Sequence, residues 1–274
     1  SSLFYMQKVE SEYKSTSNYS TKFLGLFNEK FTNLDEDKYV LAEVGSFQME
    51  FLALTELTGD KKFADLAMNV YRDLWNKNNL KGLISNSIGS GYDSYYEYII
   101  KTYLQTRGNS TYLLYQYATF SDDLQKKLVI RFKNFTCIGV KTKYFLRPSV
   151  EHFVSFAAGM LTLGSVKGNK NAKSDLKLAE DLAQTYVWIH KQFRSGLSPD
   201  YVLFNLPKSD NDSNNLIQIA IQRNVYKLRP EVAESLFWIW KFTGDEKYRN
   251  FAWDIFLAIN KTCRVANGFT SVAN

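Results

Sequence analysis

Two stretches of this chain share one local pattern, and that pattern limits what the rest can fold into. The first is Leu54-Thr55-Glu56-Leu57-Thr58-Gly59-Asp60-Lys61-Lys62-Phe63-Ala64-Asp65-Leu66-Ala67. The second is Trp238-Ile239-Trp240-Lys241-Phe242-Thr243-Gly244-Asp245-Glu246-Lys247-Tyr248-Arg249-Asn250-Phe251-Ala252. Each reads as an apolar-periodic helix, a Thr-Gly-Asp turn and a second helix with an aromatic residue and an alanine on its buried face. Glycine takes the left-handed conformation that ends one helix, and aspartate caps the next. A looser copy runs from Tyr103 to Tyr112. A fourth spans Ala158 to Leu182, with Gly164 to Asn171 as a longer turn. A hairpin of this kind cannot bury its own apolar face, so the chain is expected to be all-α, with antiparallel helix pairs packed against one another. Four prolines and fourteen glycines in 274 residues leave room for long helices.

Such hairpins either stack into a line or curve into an α/α toroid. The acidic residues favour the toroid. Glu50 lies eight residues before Thr58, Glu97 nine before Thr106 and Glu234 nine before Thr243. At 3.6 residues per turn, each carboxylate sits at the far end of its first helix from the hairpin tip. First helices lining a ring would gather all three at one mouth, whereas a linear stack would scatter them.

Composition narrows the class further. With 45% hydrophobic and 23% charged residues, the chain has a core and is not disordered. No linker composition interrupts it, so residues 1–274 read as one domain. The polar stretches Ser15–Ser20, Lys167–Ser174 and Lys208–Asn215 read as loops. No apolar run reaches the roughly 18 residues that a membrane-spanning helix needs. The first residues are neither an initiator Met nor a basic segment followed by an apolar one. The net charge of +6 comes from 34 basic and 28 acidic residues, with no Lys/Arg-rich block of five to eight residues, so no nucleic-acid partner is expected. Aromatic residues reach 16%, enough to fill a large core or to supply rings that stack on a sugar. Two cysteines, Cys137 and Cys263, allow one bridge if the fold joins them, but no zinc site. Asn-x-Ser/Thr sequons at Asn18, Asn109, Asn134, Asn211 and Asn260 are compatible with the secretory pathway.

Four stretches carry candidate chemistry. In Gly89-Ser90-Gly91-Tyr92-Asp93-Ser94-Tyr95-Tyr96-Glu97-Tyr98, a glycine turn delivers Asp93 to a helix start, with Glu97 one turn later. In Leu228-Arg229-Pro230-Glu231-Val232-Ala233-Glu234-Ser235, Pro230 suits the first helical position, and Glu231 and Glu234 project from the first turn. The others are Ala42 to Phe51, containing Glu43 and Glu50, and Val150-Glu151-His152-Phe153. Carboxylates at two helix starts can serve as the separated acid and base of glycoside hydrolysis or as oxygen ligands for a hard cation. They can equally be capping and dipole-compensating groups. His152 reads either as a satisfied core histidine or as a donor to a sugar hydroxyl. No Gly-x-Ser-x-Gly elbow, P-loop or strand-linked Gly-x-Gly-x-x-Gly is present.

Taken in order, these motifs resemble the class I α-1,2-mannosidases, glycoside hydrolase family 47, a group that includes the EDEM-type quality-control proteins. The resemblance runs from about residue 41 to 272. It rests on Glu43-Val44-Gly45-Ser46-Phe47 with Glu50-Phe51, Asp93 to Tyr98, His152 with Gly159-Met160-Leu161, and Leu228 to Ser235. Gly196-Leu197-Ser198-Pro199-Asp200 is similar to the family's Gly-Leu-x-Pro-Glu, with Asp for Glu. The resemblance implies an (α/α)7 barrel that trims α-1,2-linked mannose from high-mannose N-glycans with inversion, in the lumen of the endoplasmic reticulum or Golgi. It implies Glu231 as the base that activates water and Asp93 as a second catalytic carboxylate. Glu50, Glu97, His152, Arg229 and Glu234 are implied as substrate-site residues. A Ca2+ is implied as well, although its ligating segment, Asn-Thr-Glu-Ala-His-Pro, does not occur in this sequence, and no direct metal ligand is assigned. The expected partners are high-mannose glycoproteins, with any membrane association coming from segments outside this chain. The family's general-acid motif, Val-Phe-Glu, does not occur in residues 1–40, and Gly91 stands where processing enzymes often carry Arg. The alternative expectation is therefore an EDEM-like or degenerate member that binds mannose glycans or misfolded glycoproteins without turnover.

Overall fold

The computed structural model describes residues 40–77, 82–133, 135–205 and 217–273. The loop expectations at Ser15–Ser20 and Lys208–Asn215 lie outside these residues, as do the sequons at Asn18, Asn134 and Asn211. Nine helices are described: α1 (Leu41–Val44), α2 (Gln48–Thr58), α3 (Lys62–Lys77), α4 (Asp93–Gln105), α5 (Thr111–Lys127), α6 (Phe156–Gly164), α7 (Ala172–Lys191), α8 (Glu231–Thr243) and α9 (Glu246–Thr262).

The four expected hairpins are present as α2–α3, α4–α5, α6–α7 and α8–α9, and the members of each pair pack together. The helices α2, α4, α6 and α8 also touch in that sequence, so they form the inside of an arc, with α3, α5, α7 and α9 behind them. The two Thr-Gly-Asp turns are near copies of each other. Gly59 and Gly244 have φ of 74° and 70°, which close the preceding helices. Thr58 Oγ1 donates to Leu54 O at 2.7 Å and accepts from Asp60 N at 3.2 Å. Thr243 Oγ1 does the same with Ile239 O at 2.8 Å and Asp245 N at 3.2 Å. Asp60 and Asp245 each accept from a backbone N–H two residues on at 3.0 Å, so one recipe turns the chain twice.

The core fills the space between inner and outer helices. Tyr71, Tyr95, Tyr96, Tyr117 and Phe120 are fully buried there, and Tyr96 stacks on Phe120 with ring centroids 4.2 Å apart. Helix α6 is buried along its whole length, as expected for the middle of an arc. Asp175, also buried, joins α5 to α7 by accepting from Tyr117 (3.1 Å), Gln125 (2.9 Å), Asn169 (2.9 Å) and Ser121. On the last hairpin of the arc, Phe242, Trp253, Phe256 and Leu257 remain exposed.

Short strands, absent from the helix-hairpin expectation, fill the connections. They are β1 (Val129–Phe132), β2 (Phe135–Ile138), β3 (Val140–Lys141), β4 (Leu146–Arg147), β5 (Ser149–Glu151), β6 (Tyr201–Asn205), β7 (Gln218–Arg223), β8 (Val225–Tyr226), β9 (Arg264–Val265), β10 (Gly268–Phe269) and β11 (Val272–Ala273). Strands β1–β2 and β3–β4 form consecutive hairpins. Strands β5, β6 and β7 make a three-stranded antiparallel sheet that leads directly into the 3-10 turn His152–Ser155 and then α6. Cys137 and Cys263 are each buried and free, so the bridge left open by the sequence does not form.

Candidate active site: carboxylates at the starts of the inner helices

The inner helices begin at the same end of the arc, and their first turns meet there. Tyr92 N and Asp93 N both donate to Gly89 O, at 3.0 and 3.1 Å, and this tight turn, with Gly91 at φ 90°, places Asp93 as the first residue of α4. Pro230 occupies the N-cap of α8, one residue earlier than expected, and Glu231 opens the helix. The 3-10 turn presents His152 between them.

Asp93 is half-buried, and its carboxyl is held above the usual aspartate range. Burial is the main cause. The Ser94 N–H, donating to Oδ1 at 2.9 Å, opposes it, while the negative charges of Glu151 and Glu231 push the same way as burial. Glu151, at the end of β5, accepts from Ser90 N at 3.1 Å and so also holds the glycine turn. Glu231 Oε2 lies 3.4 Å from His152 Nδ1, and the Glu231 side chain keeps 15% of its surface exposed. His152 is 4% exposed, and its Nε2 has no hydrogen-bond partner.

Behind His152 stand His190 and Tyr226, each with its ring centroid 5.8 Å from that of His152. Burial, with a smaller push in the same direction from the neighbouring His152 ring, lowers the His190 pKa to about 3 against the opposing pull of Gly196 O, so this ring is neutral.

Arg229 is fixed from two sides. Its Nε lies 2.8 Å from Asp200 Oδ1, and its guanidinium carbon sits 3.4 Å from the centroid of the Phe153 ring. Leu228 reaches this position with φ at 58°, a left-handed conformation costing about 1–2 kcal/mol that the ion pair holds in place. Asp200, 1% exposed, also binds Lys227 at 2.9 Å and lies 3.7 Å from Arg223. Burial raises the Asp200 pKa, but the three cations more than offset it, and the net shift is downward. Its backbone O accepts from His152 N at 2.9 Å, so one residue anchors both the histidine and the arginine.

The remaining carboxylates form a second group. Lys101 Nζ bridges Glu97 at 2.6 Å and Glu234 at 2.8 Å, tying α4 to α8. Trp238 Nε1 also donates to Glu234 Oε1, at 3.4 Å. Glu50 accepts from Tyr98 OH at 3.0 Å, and burial together with that carboxylate pushes the Tyr98 phenol up to about 12. All seven expected site residues therefore lie at one end of the arc; Glu97 and Glu234 have partners both within their own helices and across them, while Glu50, His152, Arg229 and Glu231 meet partners from other elements. Glu231 and Glu234, three apart, face different partners, as do Asp93 and Glu97. Glu151, Lys101 and Asp200 were not among the expected site residues. A signal for Lys101 was present, since it lies four residues after Glu97.

Replacing Lys101 with Met is expected to cost about 2 kcal/mol at pH 7, because two carboxylates lose a shared charged donor. Glu97 already titrates above the usual glutamate range, chiefly through burial. Without Lys101 its folded pKa rises further, so the deficit is full above that pKa and closes as pH falls through it. Thermal melts at pH 7 and 4.5 read this directly, and a pH-independent deficit would contradict it.

The described residues do not fit the direct coordination sphere of a calcium ion. Among them no cluster of three or more His, Cys, Asp or Glu side chains is arranged to hold a metal, and Glu97 and Glu234 already share an ammonium group.

An arc of helical hairpins with its acidic groups gathered at the inner helix starts defines the α/α-toroid class. The chain belongs to glycosyl hydrolase family 47, whose sequence profile matches residues 6–274. It is 31% identical over 253 residues to the endoplasmic reticulum mannosyl-oligosaccharide 1,2-alpha-mannosidase of Homo sapiens, covering 85% of this chain and 36% of that protein. It is 29% identical to mannosyl-oligosaccharide 1,2-alpha-mannosidase IB of Mus musculus, covering 85% and 38%. The structure superposes on the alpha-1,2-mannosidase from Trichoderma reesei with a TM-score of 0.76 and 25% identity, covering 86% of this chain and 54% of that one. The chain thus spans little more than a third of the length of the curated relatives it matches. Family membership is compatible with a calcium-dependent enzyme.

Proposed function

We propose that this chain carries the sugar-cleaving half-site of an inverting α-1,2-mannosidase acting on high-mannose N-glycans in the lumen of the endoplasmic reticulum or Golgi. The observation that carries this reading is the approach of Asp93, on α4, to Glu231, on α8, close enough for the Glu231 charge to help raise the Asp93 pKa, with His152 Nδ1 3.4 Å from Glu231 Oε2. Inversion needs two carboxyl groups with a water between them. Glu231, partly exposed and beside His152, is the group that takes a proton from that water as the water oxygen attacks the anomeric carbon. The glycosidic bond breaks, and the departing oxygen needs a proton. Asp93 is suited to hold one, since burial and two neighbouring negative charges keep its carboxyl above the usual range. His152 Nε2, buried without a partner, can donate to a sugar hydroxyl or to the attacking water. Arg229, Glu97, Glu234 and Glu50 are proposed to meet hydroxyls around the ring. Binding a calcium ion would draw mainly on residues other than those described.

The test is incubation with a Man9 N-glycan and Ca2+, read by mass spectrometry. Stepwise loss of hexose supports the enzyme. Binding without trimming would replace it with a mannose-glycan-binding, quality-control role, and neither binding nor trimming would remove the sugar site altogether.

A further inference from the structure

One segment of the chain is basic without a single acidic residue. From Lys126 to Arg147 the chain carries seven Lys or Arg and no Asp or Glu. These residues end α5 and form the hairpins β1–β2 and β3–β4, which follow one another with only Gly139 between. Gly139 packs against Arg147 O and Ile130 Cδ1, where a Cβ would come within 2.6 and 2.8 Å, so the joint between the two hairpins has no room for a larger residue. All seven basic side chains are exposed. Lys127 pairs with Asp123 at 2.8 Å, but Arg131, Lys133, Lys141, Lys143 and Arg147 make no ion pair with any described residue.

The second hairpin ends in an apolar tip. Tyr144 is 82% exposed and Phe145 57% exposed, with Lys143 lying 5.4 Å from the Tyr144 ring centroid. Among the described residues no helix is long and apolar enough to cross a membrane. We propose that this double hairpin is a peripheral docking surface for an anionic lipid bilayer.

Three observations favour that partner. The tip is exposed and aromatic, suited to the headgroup level of a bilayer, where tyrosine and phenylalanine rest with their rings partly dehydrated. Lys141, Lys143 and Arg147, on the same hairpin as the tip, make no ion pair with any described residue, and each Lys or Arg near an anionic surface strengthens binding about fivefold. A single-stranded nucleic acid or a free phosphate would instead call for a groove or a concave cluster of donors, and a projecting two-residue tip offers neither. The hairpin is also joined to the site, since Lys141 N donates to Asn86 O at 2.9 Å, in the loop that leads to Asp93. Docking would therefore hold the rim of the carboxylate site beside the membrane.

The chain is tested by co-sedimentation with vesicles of phosphatidylcholine alone and with about one third phosphatidylserine. It is expected to sediment with the anionic vesicles only, and progressively less as salt rises. The K143E/R147E variant should bind at least tenfold more weakly and Y144S/F145S several-fold more weakly, both with unchanged melting temperatures, since these side chains contact little else. Equal sedimentation with both vesicle types, or variants that bind like the parent, would overturn the proposal. So would displacement by millimolar inorganic phosphate, or an oligonucleotide bound more tightly than the vesicles. The readout involves no glycan, so it stands or falls separately from the mannosidase reading.

Discussion

Glu231→Gln is expected to lower release of terminal α-1,2-linked mannose by about 10²–10⁴, the scale for losing a general base. Glutamine keeps the shape and can still contact His152 Nδ1, 3.4 Å from the present carboxylate oxygen. It cannot accept a proton from water. Glycan affinity should therefore change little while turnover collapses, and the two measured side by side separate a lost base from a damaged pocket. Near-full trimming by this variant would remove Glu231 from the role. The same substitution also takes away one of the charges that raises Asp93. Any residual activity should accordingly depend on a second carboxyl that titrates lower than in the parent enzyme.

Asp200→Asn is expected to have the largest effect on stability, about 3 kcal/mol, the scale for removing one partner of a buried ion pair. Asp200 is fully buried and faces Lys227 and Arg229 at 2.9 and 2.8 Å, with Arg223 at 3.7 Å. Its neutral replacement leaves Arg229, only 12% exposed, without its counter-charge. The folded pKa of Asp200 is below the ordinary value. Its stabilisation is thus present above the unfolded-state value of about 3.9 and is lost as pH falls through the lower folded one. Denaturation at pH 7 should separate parent and variant widely, and the gap should narrow below about pH 4. A gap that stayed constant would mean that packing, and not charge, explains the loss. Because Leu228 is held in a left-handed conformation beside Arg229, the variant should also loosen the entry to α8 and weaken mannose-glycan binding.

Sequence patterns reveal the hairpins because each is decided within a few residues. The Thr58-Gly59-Asp60 and Thr243-Gly244-Asp245 turns satisfy their own hydrogen bonds locally, and apolar periodicity marks the face each helix buries. The longer turn between α6 and α7 was legible for the same reason. The short strands were not. Two- to six-residue segments such as Val140–Lys141 carry no distinctive period, and their pairing partners are set by how neighbouring hairpins approach.

The site divides in the same way. The sequence by itself determined which residues stand at the helix starts: Asp93 through the glycine turn, Glu231 after Pro230, and Glu50, Glu97 and Glu234 at matching offsets from their hairpin tips. Only the tertiary structure decided which of them meet. Lys101 joins Glu97 to Glu234, Asp200 captures Arg229, and Glu151 and Glu231 act on Asp93. Caps and turns are interactions between neighbours along the chain. An ion pair such as Lys101–Glu234 or Asp200–Arg229, by contrast, depends on the few ångströms separating groups far apart in sequence, and the packing of helices, strands and loops sets that distance.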